Sequence, residues 1–371
     1  MLDSGSDGVE VIRKPWGLGR RIVTAAITFF SIGALVFMTA GANTEGRLAG
    51  AGSTFVNPIL QRVSTAYQGY LAADPVDLVN QEGKSGDWTA GASALDYDPV
   101  GSIGGLIRLS DPVVNFAATE VPVPAKQLAQ QKRIQFPLIL GAAAPVVNLD
   151  LRGAELVLDA PTLAAIYNGE ITRWSDPAIA ALNPAVALPD QAIAVRYRND
   201  GSGTTWTVTG YLAQAQGWKA GQGAHVAWPT GSGAEGSRGI IEAVKATPGA
   251  IGYSEVGQAR RAGLTAVNLV NGSGQAVAPN ADNIRAATSV AHWQPEQDVT
   301  AAAATEGWPM TAVVYVVMRA DDRQAERALG FFRYFYAEAT RQADALGYVP
   351  LPSSVVRDVE SYWAGVFGKQ S

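Results

Sequence analysis

The chain has 371 residues, of which 47% are hydrophobic and 16% are charged. This length accommodates about two domains, and the hydrophobic share is enough for packed cores, so the composition excludes a disordered chain. The 28 Lys and Arg against 33 Asp and Glu give a net charge of −5. No basic run is present that could neutralise a nucleic-acid backbone, so no nucleic-acid partner is expected.

The residues that most often hold metals are scarce. The chain has no Cys, which excludes disulfides, thiolate metal sites and a cysteine nucleophile. Its two histidines, His225 and His292, are far apart and do not have the spacing of a zinc-binding helix. We therefore expect neither a metal nor a cofactor.

The N-terminus has the pattern of an export signal. An uncharged apolar run at residues 22–38 follows a basic segment and precedes the small residues AGA at 40–42. This order predicts a secretory signal peptide over residues 1–42, with the mature chain starting near Asn43. The alternative is an uncleaved membrane anchor, since the apolar run is at the lower limit for crossing a bilayer.

Helical and strand patterns alternate along the rest of the chain. In chain order they predict a helix at 57–70, a strand at 142–148, a helix at 175–181, a strand at 192–197, helices at 208–215 and 240–246, strands at 250–253 and 312–318, and a long helix at 322–346. Such alternation predicts an α/β architecture with covered, largely parallel sheets. The Gly- and Ser-rich residues 81–94 are predicted to form a surface insertion.

Gly, Ser and Thr cluster at three places where a helix is expected to begin. They are residues 50–55 (GAGSTF), 101–105 (GSIGG) and 200–205 (DGSGTT). Helix N-termini offer free N–H groups, and glycines let an anion approach the backbone, so together these segments predict an oxyanion cradle. Arg198 adds a planar fork of donors. The alternative for each segment is an ordinary turn with a helix N-cap.

A further glycine motif is compatible with a different function, the binding of a dinucleotide. Residues 231–236 (GSGAEG) match the GxGxxG pattern of dinucleotide-binding folds. Their position in the middle of an exported chain argues against a nucleotide site.

The motifs resemble, in order, those of the periplasmic phosphate-binding protein of the phosphate ABC importer, the PstS family. The resemblance rests on GAGSTF at 50–55, GSIGG at 101–105, ELVLD at 155–159, IYNGEITRW at 166–174, RNDGSGT at 198–204, PGAIGY at 248–253 and LPSSVV at 351–356. It covers nearly the whole chain after the signal segment.

The resemblance implies an α/β, two-lobe periplasmic binding protein fold of type II-like topology, with a hinge and an interlobe ligand cleft. It implies one lobe of residues 43–140 plus 309–371 and a second lobe of residues 141–308. Phosphate would be bound by Thr54, the N–H of Phe55, Ser102, Arg198, Ser202, Gly203 and Thr204. Asp200 would orient Arg198.

The resemblance also implies an acidic acceptor for the proton of phosphate. The family has aspartate there, whereas this chain has Glu120 in the segment FAATE. A carboxylate acceptor favours protonated phosphate over unprotonated sulfate, so Glu120 is expected to be the selectivity filter.

The implied function is that of a non-catalytic, monomeric periplasmic receptor that captures inorganic phosphate and delivers it to the membrane permease of an ABC transporter. Two alternatives stay open. One is a secreted phosphomonoesterase with Ser202 or Thr204 as nucleophile, and the other is a receptor for another tetrahedral oxyanion.

Overall fold

The computed structural model describes residues 48–73, 95–288, 291–295, 299, 305–322 and 325–368. The predicted signal peptide and the predicted insertion at 81–94 lie outside these residues. Among the residues that are described, no helix combines the length and apolar character needed to cross a membrane.

The described residues form a mixed α/β fold. The helices are α1 (Asn57–Ala73), α2 (Ser102–Arg108), α3 (Ala125–Gln130), α4 (Ala160–Asn168), α5 (Pro177–Leu182), α6 (Gly203–Leu212), α7 (Gly236–Lys245), α8 (Val256–Arg261), α9 (Ala281–Ala286), α10 (Ala325–Leu346) and α11 (Ser353–Phe367). The strands are β1 (Leu48–Gly52), β2 (Leu95–Asp98), β3 (Phe116–Thr119), β4 (Arg133–Val147), β5 (Val157–Leu158), β6 (Ala194–Arg198), β7 (Ser232–Ala234), β8 (Ala250–Glu255), β9 (Thr265–Ala266), β10 (Asn268–Val270), β11 (Ala276–Val277), β12 (Thr311–Arg319) and β13 (Tyr348–Val349).

One long strand joins the two halves of the main sheet, in which the order is β2-β1-β3-β12-β4-β8-β6-β7. β4 has 15 residues. It pairs with β12 as far as Ala142, and from Ala143 onward it pairs with β8.

The sheet is mixed, so the prediction of largely parallel sheets was wrong. β1 is parallel to β2 and β3, and β6 is parallel to β7 and β8. The strands that pair with β4 all run antiparallel to it. One reason is that β12, which comes late in the chain, inserts between β3 and β4 and runs antiparallel to both. The other is that β4 runs antiparallel to β8 on its second edge. Periodicity along the sequence does not show this insertion.

The two central strands are apolar on both faces. β12 (TAVVYVVMR) is buried from Thr311 to Met318, and β4 is buried from Phe136 to Val147. β-branched residues fit a pleated surface, and burial on both faces gives continuous apolar runs instead of alternation.

Aromatic side chains attach the last two helices to β3 and β4. The Phe332 ring of α10 lies 5.0 Å from the ring of Phe116 and 5.5 Å from that of Phe136, both edge to face. Trp363 of α11 lies 4.9 Å from Phe136. These side chains are fully buried, and truncating one such aromatic residue costs about 3 to 5 kcal/mol.

Most predicted elements are confirmed, with displaced ends. Helix α6 begins five residues earlier than the predicted 208–215, because the Ser202 hydroxyl caps it by accepting the N–H of Thr205. Helix α4 was not predicted, although Asp159 caps it and a proline stands in its first turn. The first part of β4 was also missed, since its apolar run lacks alternation.

A buried carboxyl lies where β8 meets β4. Glu255, which is fully buried, pairs across the sheet with Ala143 and accepts the N–H groups of Gly257 and Gln258 at the start of α8. Burial raises the pKa of Glu255 to about 8, although these two N–H groups and Arg261 act to lower it.

This shift predicts a pH dependence of folding. Because the folded protein retains the Glu255 proton up to about pH 8, it binds more protons than the unfolded chain above the ordinary glutamate pKa of about 4.3. The free energy of unfolding should therefore fall as pH rises between these values. Urea denaturation at pH 5 and pH 8 measures this fall, which should be smaller in Glu255→Gln. An equal fall in both proteins would contradict the assignment.

Candidate functional site

The candidate site is built from strand ends and helix starts that meet closely. Gly52 ends β1 with φ 130°, and a Cβ at this position would lie 2.2 Å from the carbonyl oxygen of Ala118 in β3. Gly105 of α2 is equally close, since its Cβ would lie 2.4 Å from the Gly52 Cα. Only glycine fits at both positions, so the glycines of segments 50–55 and 101–105 bring α2 directly against β1.

The start of α2 also contacts the segment that precedes α6. The N–H of Gly101 donates to the carbonyl of Gly52 at 2.9 Å, and the N–H of Ile103 donates to the carbonyl of Gly201 at 3.1 Å. The three segments predicted from the sequence are therefore adjacent in space, although about 150 residues separate the first from the last.

Glu120 lies among the hydroxyl groups of these segments. It follows β3, is 5% exposed, and accepts hydrogen bonds from Ser53 through Oε1 and from Ser102 through Oε2, the latter at 3.0 Å. Burial raises the pKa of Glu120, and the two serine hydroxyls and the charge of Arg198 act in the opposite direction.

A buried ion pair adjoins the carboxylate. The Nε of Arg198 donates to Oδ1 of Asp200 at 2.6 Å, and the Nη2 donates to Oδ2, which makes the pair bidentate. The N–H of Gly236 at the start of α7 also donates to Oδ1, at 3.1 Å. Although burial acts to raise the pKa of Asp200, the hydrogen bonds and charge of Arg198 outweigh it, so that pKa is lowered.

The N-terminus of α6 supplies the third part of the site. Ser202 caps the helix, and the N–H of Gly203 donates to the Ser102 hydroxyl at 3.1 Å. The hydroxyl of Thr204 is buried and, among the described residues, has no hydrogen-bond partner. A buried hydroxyl without a partner costs free energy, so it marks a position where a ligand can supply one.

Thr54 contacts the first turn of α7, and Phe55 follows it in the chain. The hydroxyls of Thr54 and Ser237 are 2.8 Å apart, and Ser237 follows Gly236 in the first turn of α7. The N–H of Phe55 donates to the Ser53 hydroxyl at 3.1 Å. Gln258 holds this segment by donating to the carbonyls of both Thr54 and Phe55.

The structure brings all nine predicted site residues into one connected cluster. They are linked through shared hydrogen bonds or chain neighbours: Thr54, Phe55, Ser102, Glu120, Arg198, Asp200, Ser202, Gly203 and Thr204.

Four further residues belong to the same cluster and were not predicted as site residues. Ser53, Ser237 and Gln258 make the contacts described above, and the Tyr253 hydroxyl lies 2.8 Å from both the Arg198 N–H and the Thr205 hydroxyl. Ser53 and Tyr253 stand inside quoted motifs, GAGSTF and PGAIGY, and could have been found from them.

The glycine motif at 231–236 has a different role from the dinucleotide site considered above. Its residues form β7 and the start of α7, and Gly236 contacts Asp200 through its N–H. The motif therefore supports the ion pair of the cluster. Within the described residues, no group of three or more His, Cys, Asp or Glu is placed to hold a metal ion.

Comparison with known proteins gives a consistent set of similarities. A family model described as "PBP superfamily domain" matches residues 38–339. The "Phosphate-binding protein PstS" of Xylella fastidiosa (strain 9a5c) is 34% identical over 332 residues, which is 86% of this chain and 86% of that protein.

Two solved structures have folds similar to the fold of this chain. A periplasmic phosphate-binding protein (PfluDING), solved with phosphate bound, superposes with a TM-score of 0.62 at 20% identity, covering 85% of this chain and 93% of its own. An ABC-type phosphate transport receptor from Vibrio cholerae superposes with a TM-score of 0.51 at 20% identity, covering 82% of this chain and 100% of its own. These similarities confirm the predicted two-lobe α/β fold class.

The buried ion pair predicts a large difference between two aspartate substitutions. Asp200→Ala leaves the Arg198 guanidinium, 2% exposed, without its carboxylate, and should lower the free energy of unfolding by about 3 to 5 kcal/mol. The matched control is Asp190→Ala, which removes the partner of Arg173 at the surface, where the two side chains are 50% and 73% exposed. That change should cost far less, because solvent screens the surface pair. Urea denaturation measures both, and equal losses would contradict the assignment.

Proposed function

The chain belongs to the PstS family of phosphate-binding proteins, and from this membership together with the site geometry we propose that it captures inorganic phosphate for delivery to a membrane permease. The proposal rests on one observation. Ser102 is hydrogen-bonded to both Glu120 and the N–H of Gly203, beside the buried Arg198–Asp200 pair. Such a cluster combines hydrogen-bond donors, a fixed positive charge and one acceptor. This is the set that a protonated tetrahedral anion requires.

The proposed ligand contacts divide by chemistry. Arg198 supplies the charge, and its pairing with Asp200 fixes the plane of the guanidinium. Neutral donors come from the hydroxyls of Ser102 and Thr204 and from the backbone of Gly203. Thr54, Ser202 and the N–H of Phe55 complete the proposed set. The unpartnered Thr204 hydroxyl supports this assignment most directly, since a phosphate oxygen would satisfy it.

Glu120 is proposed as the acceptor that distinguishes phosphate from sulfate. Phosphate near neutral pH carries at least one proton that it can donate, and sulfate carries none. A buried charged group left without its hydrogen bond costs about 1 to 3 kcal/mol or more, and each 1.4 kcal/mol changes affinity ten-fold.

We further propose that the ligand is enclosed by hinge closure between two lobes, residues 43–140 plus 309–371 and residues 141–308. The pairing of β4 supports this division, because the strand changes partner from β12 to β8 at Ala142 and Ala143. Ser102 and Glu120 fall in one proposed lobe and Arg198 and Gly203 in the other. A ligand held from both sides selects the closed arrangement.

The proposed location is the periplasm, reached through the signal predicted at 1–42, and the proposed partner is the permease of an ABC importer. The protein would act there as a non-catalytic monomer. The phosphomonoesterase alternative is less favoured, because the Ser202 hydroxyl is engaged in capping α6 and catalysis at a serine needs an adjacent base.

Titration calorimetry tests this function. Wild-type mature protein, freed of ligand by unfolding, dialysis and refolding, should bind one phosphate per chain, and a large excess of sulfate should not displace it. Equal binding of sulfate would favour the alternative of a general oxyanion receptor. Hydrolysis of a chromogenic phosphate ester, abolished by substitution of Ser202 or Thr204, would favour the enzyme.

Thr204→Val should weaken phosphate binding by ten-fold or more while the protein stays folded. The change replaces the unpartnered hydroxyl with a methyl group of similar size, and a hydrogen bond to a charged ligand is worth about 1.5 to 3 kcal/mol. The matched control is Thr65→Val, at an exposed hydroxyl on α1, which should bind as the wild type does. Unchanged affinity in Thr204→Val would remove this hydroxyl from the proposed site.

A further inference from the structure

The carboxylate of Glu120 uses hydrogen-bond donors that the proposed phosphate site also needs. Ser102 donates its hydroxyl proton to Oε2 at 3.0 Å, and Ser53 donates to Oε1. A serine hydroxyl has a single proton to donate. While Ser102 donates to Glu120, it therefore has no proton left for a phosphate oxygen.

Two backbone donors are engaged through the same serines. The N–H of Gly203 donates to the Ser102 hydroxyl at 3.1 Å, and the N–H of Phe55 donates to the Ser53 hydroxyl at 3.1 Å. Both amides belong to the proposed ligand contacts. The carboxylate of Glu120 thus lies at the centre of a closed hydrogen-bonded group in which four donors are satisfied internally.

The carboxylate also lies against the first residue of α6. A Cβ built on Gly203 would be 1.9 Å from the Glu120 Oε2 and 2.5 Å from the Ser102 Oγ. Backbone N–H groups at a helix start attract negative charge, and a negatively charged side chain satisfies that preference as a ligand does. An aspartate at position 120 would end about 1.5 Å earlier, the length of one C–C bond.

From these contacts we propose that Glu120 is a tethered anion that competes with the ligand for the donors of the cradle. The proposal rests on the proposed function. Binding is then an exchange, in which an entering anion takes over the hydroxyl of Ser102 and the N–H groups of Gly203 and Phe55 as the Glu120 carboxylate withdraws. The withdrawn carboxylate accepts the proton of phosphate. The length of residue 120 consequently sets the affinity for any oxyanion, in addition to the choice between two of them.

Shortening the side chain without removing its charge tests the proposal. Glu120→Asp keeps a carboxylate in place but draws it back from Ser102 and Gly203, so the dissociation constant for sulfate should fall about ten-fold. Sulfate is the decisive probe because it has no proton to donate. A gain in its binding cannot come from a better-placed acceptor, and it cannot come from loss of charge. The control is Glu155→Asp, an exposed glutamate bonded to Asn268, which should bind sulfate as the wild type does.

A second variant tests the same competition by removing a hydrogen bond that holds Glu120 in place. Ser53→Ala removes the hydroxyl that holds Oε1 of Glu120 and frees the N–H of Phe55, so sulfate binding should tighten at least two-fold. Circular dichroism and thermal unfolding establish that both variants are folded. Phosphate is titrated alongside sulfate in each protein.

The outcomes are distinguishable. An unchanged or weaker sulfate affinity in folded Glu120→Asp overturns the tethered-anion proposal, even where phosphate alone binds more tightly, since that result identifies an improved acceptor position. If Glu120→Asp fails to fold, an unchanged or weaker sulfate affinity in folded Ser53→Ala overturns the proposal. Absence of phosphate binding in the wild type and in both variants would instead overturn the proposed function, and this inference with it.

Discussion

The burial of charge at Glu120 and at the Arg198–Asp200 pair is the constraint on which the site depends. A carboxylate that is 5% exposed is stable in ionised form only where donors replace its lost water. Ser53 and Ser102 supply these donors, and each is itself held by a backbone N–H, from Phe55 and Gly203 respectively. The positions of two helix starts are thereby linked to one side chain.

Close backbone approach makes this arrangement possible. A Cβ at Gly203 would overlap the Glu120 carboxylate, and a Cβ at Gly101, where φ is 83°, would lie 2.8 Å from Oδ2 of Asp200. The glycines therefore do more than form turns, since they bring helix N-termini within reach of anionic oxygen atoms. Gly236 does the same for the other oxygen of Asp200.

The core stabilises the frame that holds these termini. β4 and β12 are buried on both faces and lie at the centre of the main sheet. β3 pairs with β12 and β8 pairs with β4, and β3 and β8 in turn pair with β1 and β6, so the strand ends of the site are fixed to the buried centre. The aromatic contacts of Phe332 and Trp363 attach the C-terminal helices to β3 and β4.

The sequence predicted the segments 50–55, 101–105 and 200–205 as parts of one site because a glycine beside a hydroxyl at a helix start is recognisable without a structure. The role of Glu120 and the individual ligand contacts were predicted only from the resemblance to the PstS family. Ser237 and Gln258 were not predicted, since they reach Thr54 from 183 and 204 residues away and carry no local motif. The contacts of Glu120 were equally inaccessible. The sequence showed that this chain has glutamate where the family has aspartate. The hydrogen bonds of Glu120 with Ser53 and Ser102, and its position next to Gly203, depend on three separate segments of the chain coming together. The mixed sheet was missed for the same reason, because the position of β12 between β3 and β4 is a long-range property.

A crystal structure of the wild-type protein with bound phosphate tests the central claim most directly. The account predicts phosphate within hydrogen-bonding distance of Arg198, Thr204 and Gly203, with the Ser102 hydroxyl donating to a phosphate oxygen and Glu120 turned to accept the ligand's proton. Phosphate bound outside this cluster, or bound within it while Ser102 still donates to Glu120, would contradict the account.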